Sequence, residues 1–151
     1  MSDYNWVLPR ISVGAMLNDY DLPQLQAEGI GYIVNVSNNL EPAPIRADPN
    51  IEILNVDIND DGQSHYEVFK DQLAPWFMDR WFKEPKKKFN FHCGAGVNRG
   101  PSTCMLALML LGLSASAAIK GIVTARPIAQ AGLAYREDAM KVAEELGFLV
   151  R

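Results

Sequence analysis

The sequence predicts a single-domain α/β fold, a mostly parallel central sheet flanked by helices, and three observations carry that prediction. Strand-like and helix-like segments alternate through the first half of the chain and helical segments cluster in the second. The 151 residues, 48% of them apolar, are material for one ordinary core. No repeat, low-complexity block or long polar linker divides positions 1–151, which therefore read as one unit.

Taken in order, Ile11-Ser12-Val13-Gly14 alternates like a short strand. Positions 18–29 carry the early acids Asp19 and Asp21, Pro23 near a first turn and Gly29 as a stop, a short helix. The β-branched and aromatic run Ile30–Val36 is a core strand. Pro42, Pro44 and Pro49 mark an irregular loop before a second strand at Ile51–Val56. Apolar residues at helical spacing over Tyr66–Phe82 predict a helix kinked by Pro75, whose aromatics are core material. The lysines 86–88 form a solvated turn into the alternating strand Phe89–His92. An apolar helix follows around 101–113, a second runs from an N-cap at Ser114 to about Thr124, and a third spans Tyr135–Leu146, stopped by Gly147 with Phe148 behind it.

Composition excludes several function classes. Fourteen basic against 18 acidic residues leave a net charge of −4, which offers no whole-molecule field for a nucleic acid or an anionic membrane, so any anionic substrate must be gripped locally. The apolar run from Cys104 to Leu113 is short of the ~18 to 20 residues that span a bilayer. Two cysteines make no disulfide framework, and Met1-Ser2-Asp3-Tyr4 has neither the basic nor the apolar region of a signal peptide, so a reduced, cytoplasmic protein is expected; a monomer is expected as well.

The chemistry concentrates in His92-Cys93-Gly94-Ala95-Gly96-Val97-Asn98-Arg99-Gly100-Pro101-Ser102. A strand runs into Cys93, a loop with two glycines follows, and a helix begins just past Arg99 with Pro101 in its first turn, where a missing N–H costs nothing. Backbone amides of such a loop, together with the positive end of the helix dipole, make an anion cradle, and Gly94 and Gly96 let the backbone come close to an oxyanion. Arg99 adds a planar fork that holds two phosphate oxygens at once. The same positive field favours the thiolate of Cys93, a nucleophile.

These residues resemble the signature of the cysteine-dependent protein tyrosine phosphatases, and within them the small dual-specificity phosphatases: His, Cys, five residues including a glycine, then Arg. The likeness extends to positions 9–14, 25–36, Ala125-Arg126-Pro127 and Tyr135–Leu146. It implies a phosphate-binding loop at Gly94, Ala95, Gly96, Val97, Asn98 and Arg99, with Cys93 as nucleophile, His92 organising the loop, and no metal or other cofactor. It further implies a general acid in the loop 57–65. Asp60 is the choice, Asp61 the close rival, and Asp57, nearer the strand, the third. The implied substrate is a phosphorylated protein or peptide, phosphotyrosine first, with phosphoserine and phosphothreonine admitted by a shallow pocket.

The pattern departs at Gly100, where the family has Ser or Thr to assist release of the thiolate. Ser102 or Thr103 could substitute, or merely decorate the helix. Without either, slow breakdown of the phosphoenzyme is expected. The loop holds no Lys or further Arg, which disfavours phosphoinositides. Asn35 braces the loop or satisfies its neighbours. Arg126 is a structural or peripheral substrate contact, and Cys104 is a core residue, a reversible disulfide to Cys93 being the lesser alternative. The competing functions are an RNA 5′-triphosphatase of the same fold and a phosphopeptide-binding pseudophosphatase. A redox thiol protein is disfavoured by the absence of Cys-x-x-Cys.

Overall fold

A computed structural model of the chain describes residues 2–148. Five strands, β1 (Tyr4–Leu8), β2 (Ile11–Gly14), β3 (Ile30–Asn35), β4 (Glu52–Asn55) and β5 (Lys88–His92), form one sheet in the order β1-β2-β5-β3-β4. β1 and β2 pair antiparallel across Pro9-Arg10, and every other pairing is parallel. The helices are α1 (Leu22–Glu28), α2 (Ala43–Arg46), α3 (Tyr66–Val68), α4 (Ala74–Lys83), α5 (Arg99–Leu110), α6 (Ala115–Ala125) and α7 (Leu133–Glu145). None of them is long and apolar enough to cross a membrane.

Period-2 alternation assigns the two faces of the sheet. Ile11, Val13, Tyr32, Val34, Phe89 and Phe91 face the larger core, with the buried faces of α4 to α7. Ile30 and Ile33 face a smaller core with Leu25 of α1 and Ile45 of α2. These two isoleucines share a face three residues apart because the β3–β5 register slips between Ile30 and Tyr32. Helices therefore cover both faces, as expected for a sheet that is mostly parallel.

Three elements differ from the sequence reading. β1 is a strand in its own right: Tyr4, Asn5, Trp6 and Val7 alternate, and Tyr4 and Trp6 pack on the smaller core. The proline loop contains the single turn α2, with Pro44 at its start, where the lost N–H has no partner to miss. The segment expected to kink at Pro75 widens into a π-turn over Phe69–Leu73. In a regular helix the Pro75 ring would press on the carbonyl of Asp71, and the extra residue in the turn relieves that contact. The remaining helices follow the reading: Ser114 Oγ accepts from Ala117 N at 3.1 Å, and α7 stops where Gly147 and Phe148 donate back to Glu144 and Ala143.

The topology sets the site. β5 lies between β2 and β3, and their last residues align, Gly14 and Asn35 both opposite His92. The chain leaving β5 thus emerges at the middle of the sheet's carboxyl edge, the usual crevice of an open parallel sheet.

Candidate active site

Cys93 follows the last residue of β5, is 3% exposed, and begins a loop that ends at the first residue of α5. The loop's shape is held from outside, carbonyl by carbonyl. Gly94 O accepts from Met16 N (2.9 Å), Ala95 O and Gly96 O from Arg126 (3.0 and 2.9 Å), Val97 O from Gln130 N (2.6 Å), and Asn98 O from Ser102 N (3.0 Å). Each trans peptide carries its N–H opposite its C=O, so pulling the carbonyls outward turns the amides toward the centre. Among the described residues, no amide from Gly94 to Arg99 donates to a protein acceptor. Gly96 has φ +71°, and a Cβ there would lie 2.6 Å from Arg126 and from the Gly14 carbonyl carbon, so only glycine fits.

Arg99 is aimed by two acceptors. Its NH1 donates to Ile58 O at 3.2 Å and to Asn38 Oδ1, which leaves Nε and NH2 as the free fork edge. NH2 faces the cradle, 3.8 Å from where a Cβ on Gly94 would stand. Asn38 holds its side chain there in a left-handed backbone conformation, φ 67°, and its own amide donates to Asp57 at 3.0 Å. His92, fully buried, has Nε2 2.6 Å from Glu41 Oε2, also buried, and Nδ1 3.4 Å from Cys93 O. The loop between β3 and α2 therefore supports both ends of the signature.

The loop 57–65 lies against the cradle, and Asp60 is the carboxylate brought to it. Asp60 Oδ1 accepts from Asn98 Nδ2 at 2.8 Å, while Asn98 Oδ1 accepts from Gly132 N at 2.6 Å. Asp61 instead folds back on its own loop, accepting from Gln63 N at 2.9 Å with His65 Nε2 at 3.3 Å. The Gln63 amide holds its carboxyl below the usual carboxylate range, with His65 adding to that. Asp57 binds Asn38. From α7, the buried Tyr135 hydroxyl donates to Asn59 O (2.6 Å) and accepts from Asp61 N and Gly62 N (3.2 and 3.1 Å). Asp138 accepts from Ser64 Oγ (2.5 Å) and His65 N (2.7 Å). Burial holds the Tyr135 phenol above its ordinary value, so it remains a donor.

The structure decides the open side chains. The Ser102 hydroxyl donates to Asn98 O (2.7 Å) and that of Thr103 to Gly100 O (2.8 Å), so both serve the helix start and neither donates to Cys93. Asn35 satisfies Ser37 and Asn39, its own neighbours, and does not brace the loop. Arg126 is structural, 2% exposed, bridging the loop carbonyls to Asp3 and Asn5. Cys104 is a free core thiol that burial pushes up, and Cys93 is also free. Asn38, Glu41, Tyr135 and Asp138 carry positioning roles that sequence reasoning missed. Only the left-handed preference of Asn gave any signal, at Asn38.

No protein-family model matches the chain. Solved structures resemble it along nearly its whole length. Human DUSP28 superimposes with TM-score 0.80 at 24% identity, over 97% of this chain and 96% of its own. The chain has the dual-specificity phosphatase fold. Two other structures with this fold are similar to it. The human tyrosine phosphatase-like serine/threonine/tyrosine-interacting protein matches at TM-score 0.77 and 18% identity, over 97% and 99% of the two chains. PTPMT1 in complex with PI(5)P matches at TM-score 0.78 and 13% identity, over 96% and 97%. In this chain's version of the dual-specificity phosphatase fold, residues 93–99 occupy the strand-to-helix loop, and the wall of residues 57–65 stands beside them.

Proposed function

We propose that the chain is a phosphomonoester hydrolase working through a cysteinyl-phosphate intermediate on phosphorylated proteins or peptides, with phosphotyrosine its first substrate and phosphoserine and phosphothreonine also admitted. The observation that carries this reading is the cradle itself: the carbonyls from Gly94 to Val97 are tied outward, and NH2 of Arg99 lies 3.8 Å from where a Cβ on Gly94 would stand. Amides and guanidinium together stabilise the charge spread over the three equatorial oxygens of a phosphoryl group in flight.

In the first step the Cys93 thiolate attacks phosphorus. The S–P bond forms as the P–O bond breaks, and Asp60 gives its proton to the leaving oxygen. In the second, water attacks the phosphocysteine, its proton passes to Asp60, and the S–P bond breaks to return the thiolate and release inorganic phosphate. Asp60 is supported over Asp61 because Asn98 ties it to the cradle, whereas the Asp61 carboxylate is turned back onto Gln63 and His65 of its own loop.

A phosphopeptide-binding role with little turnover is the second reading, and Gly100 favours it. A Cβ at that position would lie 3.2 Å from Cys93 N, so close packing stands where the family resemblance implies a hydroxyl that assists thiolate release. A phosphoinositide head group would meet no Lys or Arg between Gly94 and Asn98, and an RNA end would meet a chain of net charge −4. The test is hydrolysis of p-nitrophenyl phosphate in EDTA beside Cys93→Ser. Turnover that survives the chelator and vanishes in the variant is the expected result. No turnover, with phosphopeptide binding retained, would replace the hydrolase by the binding module.

A further inference from the structure

Beside the phosphate loop lies a groove of about 600 Å3 that the mechanism does not use. Val97 and Asn98 of the loop form one wall, Ile119 and Val123 of α6 and Leu133 of α7 contribute others, and Arg136 lines it one helical turn beyond Leu133. It is an open groove, with apolar walls and a few polar groups. Val123 and Leu133 stay 41% and 63% exposed, so apolar surface is left uncovered at the edge of the site.

Arg136 is the one charged residue in the lining. Its Nε is shut off from water without an acceptor, and among the described residues no carboxylate pairs with it. NH1 and NH2 are not closed off in this way and have no acceptor among the described residues, so they are the donors that an anion in the groove would meet. The groove is also rigidly indexed to the chemistry. Asn98, part of its wall, is held by Gly132 N at 2.6 Å on one side and holds Asp60 at 2.8 Å on the other.

We propose that this groove selects the substrate: it takes an apolar side chain flanking the phosphorylated residue against Val123 and Leu133, and an anionic group, a carboxylate or a second phosphate, on Arg136. The inference rests on the phosphatase reading and narrows it to acidic phosphopeptides. An extended peptide advances about 3.3 Å per residue, so a neighbour roughly one to three positions from the phosphorylated residue reaches the groove while the phosphate sits over Cys93.

The experiment is a positional scan. In a neutral phosphotyrosine peptide, Leu, Glu or phosphoserine is placed in turn at each of the roughly three positions on either side, and kcat/KM is measured for the unmodified protein, Arg136→Ala and Leu133→Asp, with p-nitrophenyl phosphate as the small substrate. On one flank Glu or phosphoserine raises kcat/KM at least about fivefold, and the larger gain identifies the anion. Arg136→Ala brings that gain below about twofold, Leu133→Asp abolishes the gain from Leu, and both leave p-nitrophenyl phosphate within about twofold. A flat scan overturns the inference, as does an Arg136→Ala variant slowed equally on every peptide and on p-nitrophenyl phosphate. If nothing is turned over, the failure falls on the hydrolase reading, and the same scan is read by fluorescence anisotropy on Cys93→Ser. A flat binding profile there overturns the groove assignment by itself.

Discussion

Replacing Tyr135 by Phe removes one oxygen and, with it, three hydrogen bonds to the backbone of the loop carrying Asp60, besides a longer contact of 3.4 Å to Asp61 Oδ1. The ring is fully buried and keeps its place, so the perturbation is confined to the hydroxyl. Each such bond contributes about 1 kcal/mol net. The backbone groups released are only partly buried and recover water, so the anchoring lost is about 1–2 kcal/mol in all. If that anchoring sets the position of the acid, the same energy appears in the barrier to protonated departure, about 5- to 30-fold in rate. The assay is kcat/KM, which reports on phosphoenzyme formation, across phosphate esters of graded leaving group. Esters with a poor alkoxide or phenoxide leaving group should lose about 5- to 30-fold. p-Nitrophenyl phosphate, whose leaving group departs with little help, should lose less than about twofold. Equal losses across the series, or none, would refute the idea that α7 positions the acid, since a general loosening of the fold has no reason to depend on leaving group.

Four other outcomes are expected. Asp60→Asn lowers kcat/KM for a phosphotyrosine peptide by about 100-fold or more, the usual worth of a general acid, while Asp61→Asn stays within a few-fold; the two pH–rate profiles separate the roles. Because Asp61's carboxyl is held below its ordinary value by the Gln63 amide, its stabilisation of the loop is present above the unfolded value of about 3.9 and is lost as pH falls through the lower folded one. Melting curves from pH 5 to 3 should therefore converge for the natural protein and Asp61→Asn. Glu41→Ala breaks a fully buried pair with His92 and should cost about 3–5 kcal/mol in urea denaturation, with Glu41→Gln costing less; a loss under about 1 kcal/mol would remove Glu41 from the support of the loop. Rapid mixing with p-nitrophenyl phosphate should show a burst of product followed by a slower steady rate, and Gly100→Ser should raise the steady rate if α5 yields the few tenths of an ångström its Cβ requires.

Local chemistry made the core of this protein readable from its sequence. Alternation in Ile11–Gly14 and Phe89–His92 depends only on the period of a strand, the β-branched and aromatic run Ile30–Val36 only on composition, and the stop at Gly147 only on backbone freedom, so strands, late helices and a parallel sheet could be inferred without coordinates. The same holds for the cradle, because a cysteine, glycines and an arginine within one strand–loop–helix unit must lie together whatever the rest of the chain does. The choice of Asp60 over Asp61 was open in the sequence. Adjacent residues in a loop differ by a turn of the backbone that only Asn98, Gln63 and Tyr135 determine. Glu41, 51 positions from His92, and Tyr135 and Asp138, more than 70 from the loop they clamp, have no local signature, since a hydrogen bond between distant elements leaves no periodicity. Arg126 shows the boundary most clearly. As a residue it could have contacted substrate or scaffold, and burial beneath the loop decided for scaffold, because its donors are spent on the carbonyls of Ala95 and Gly96.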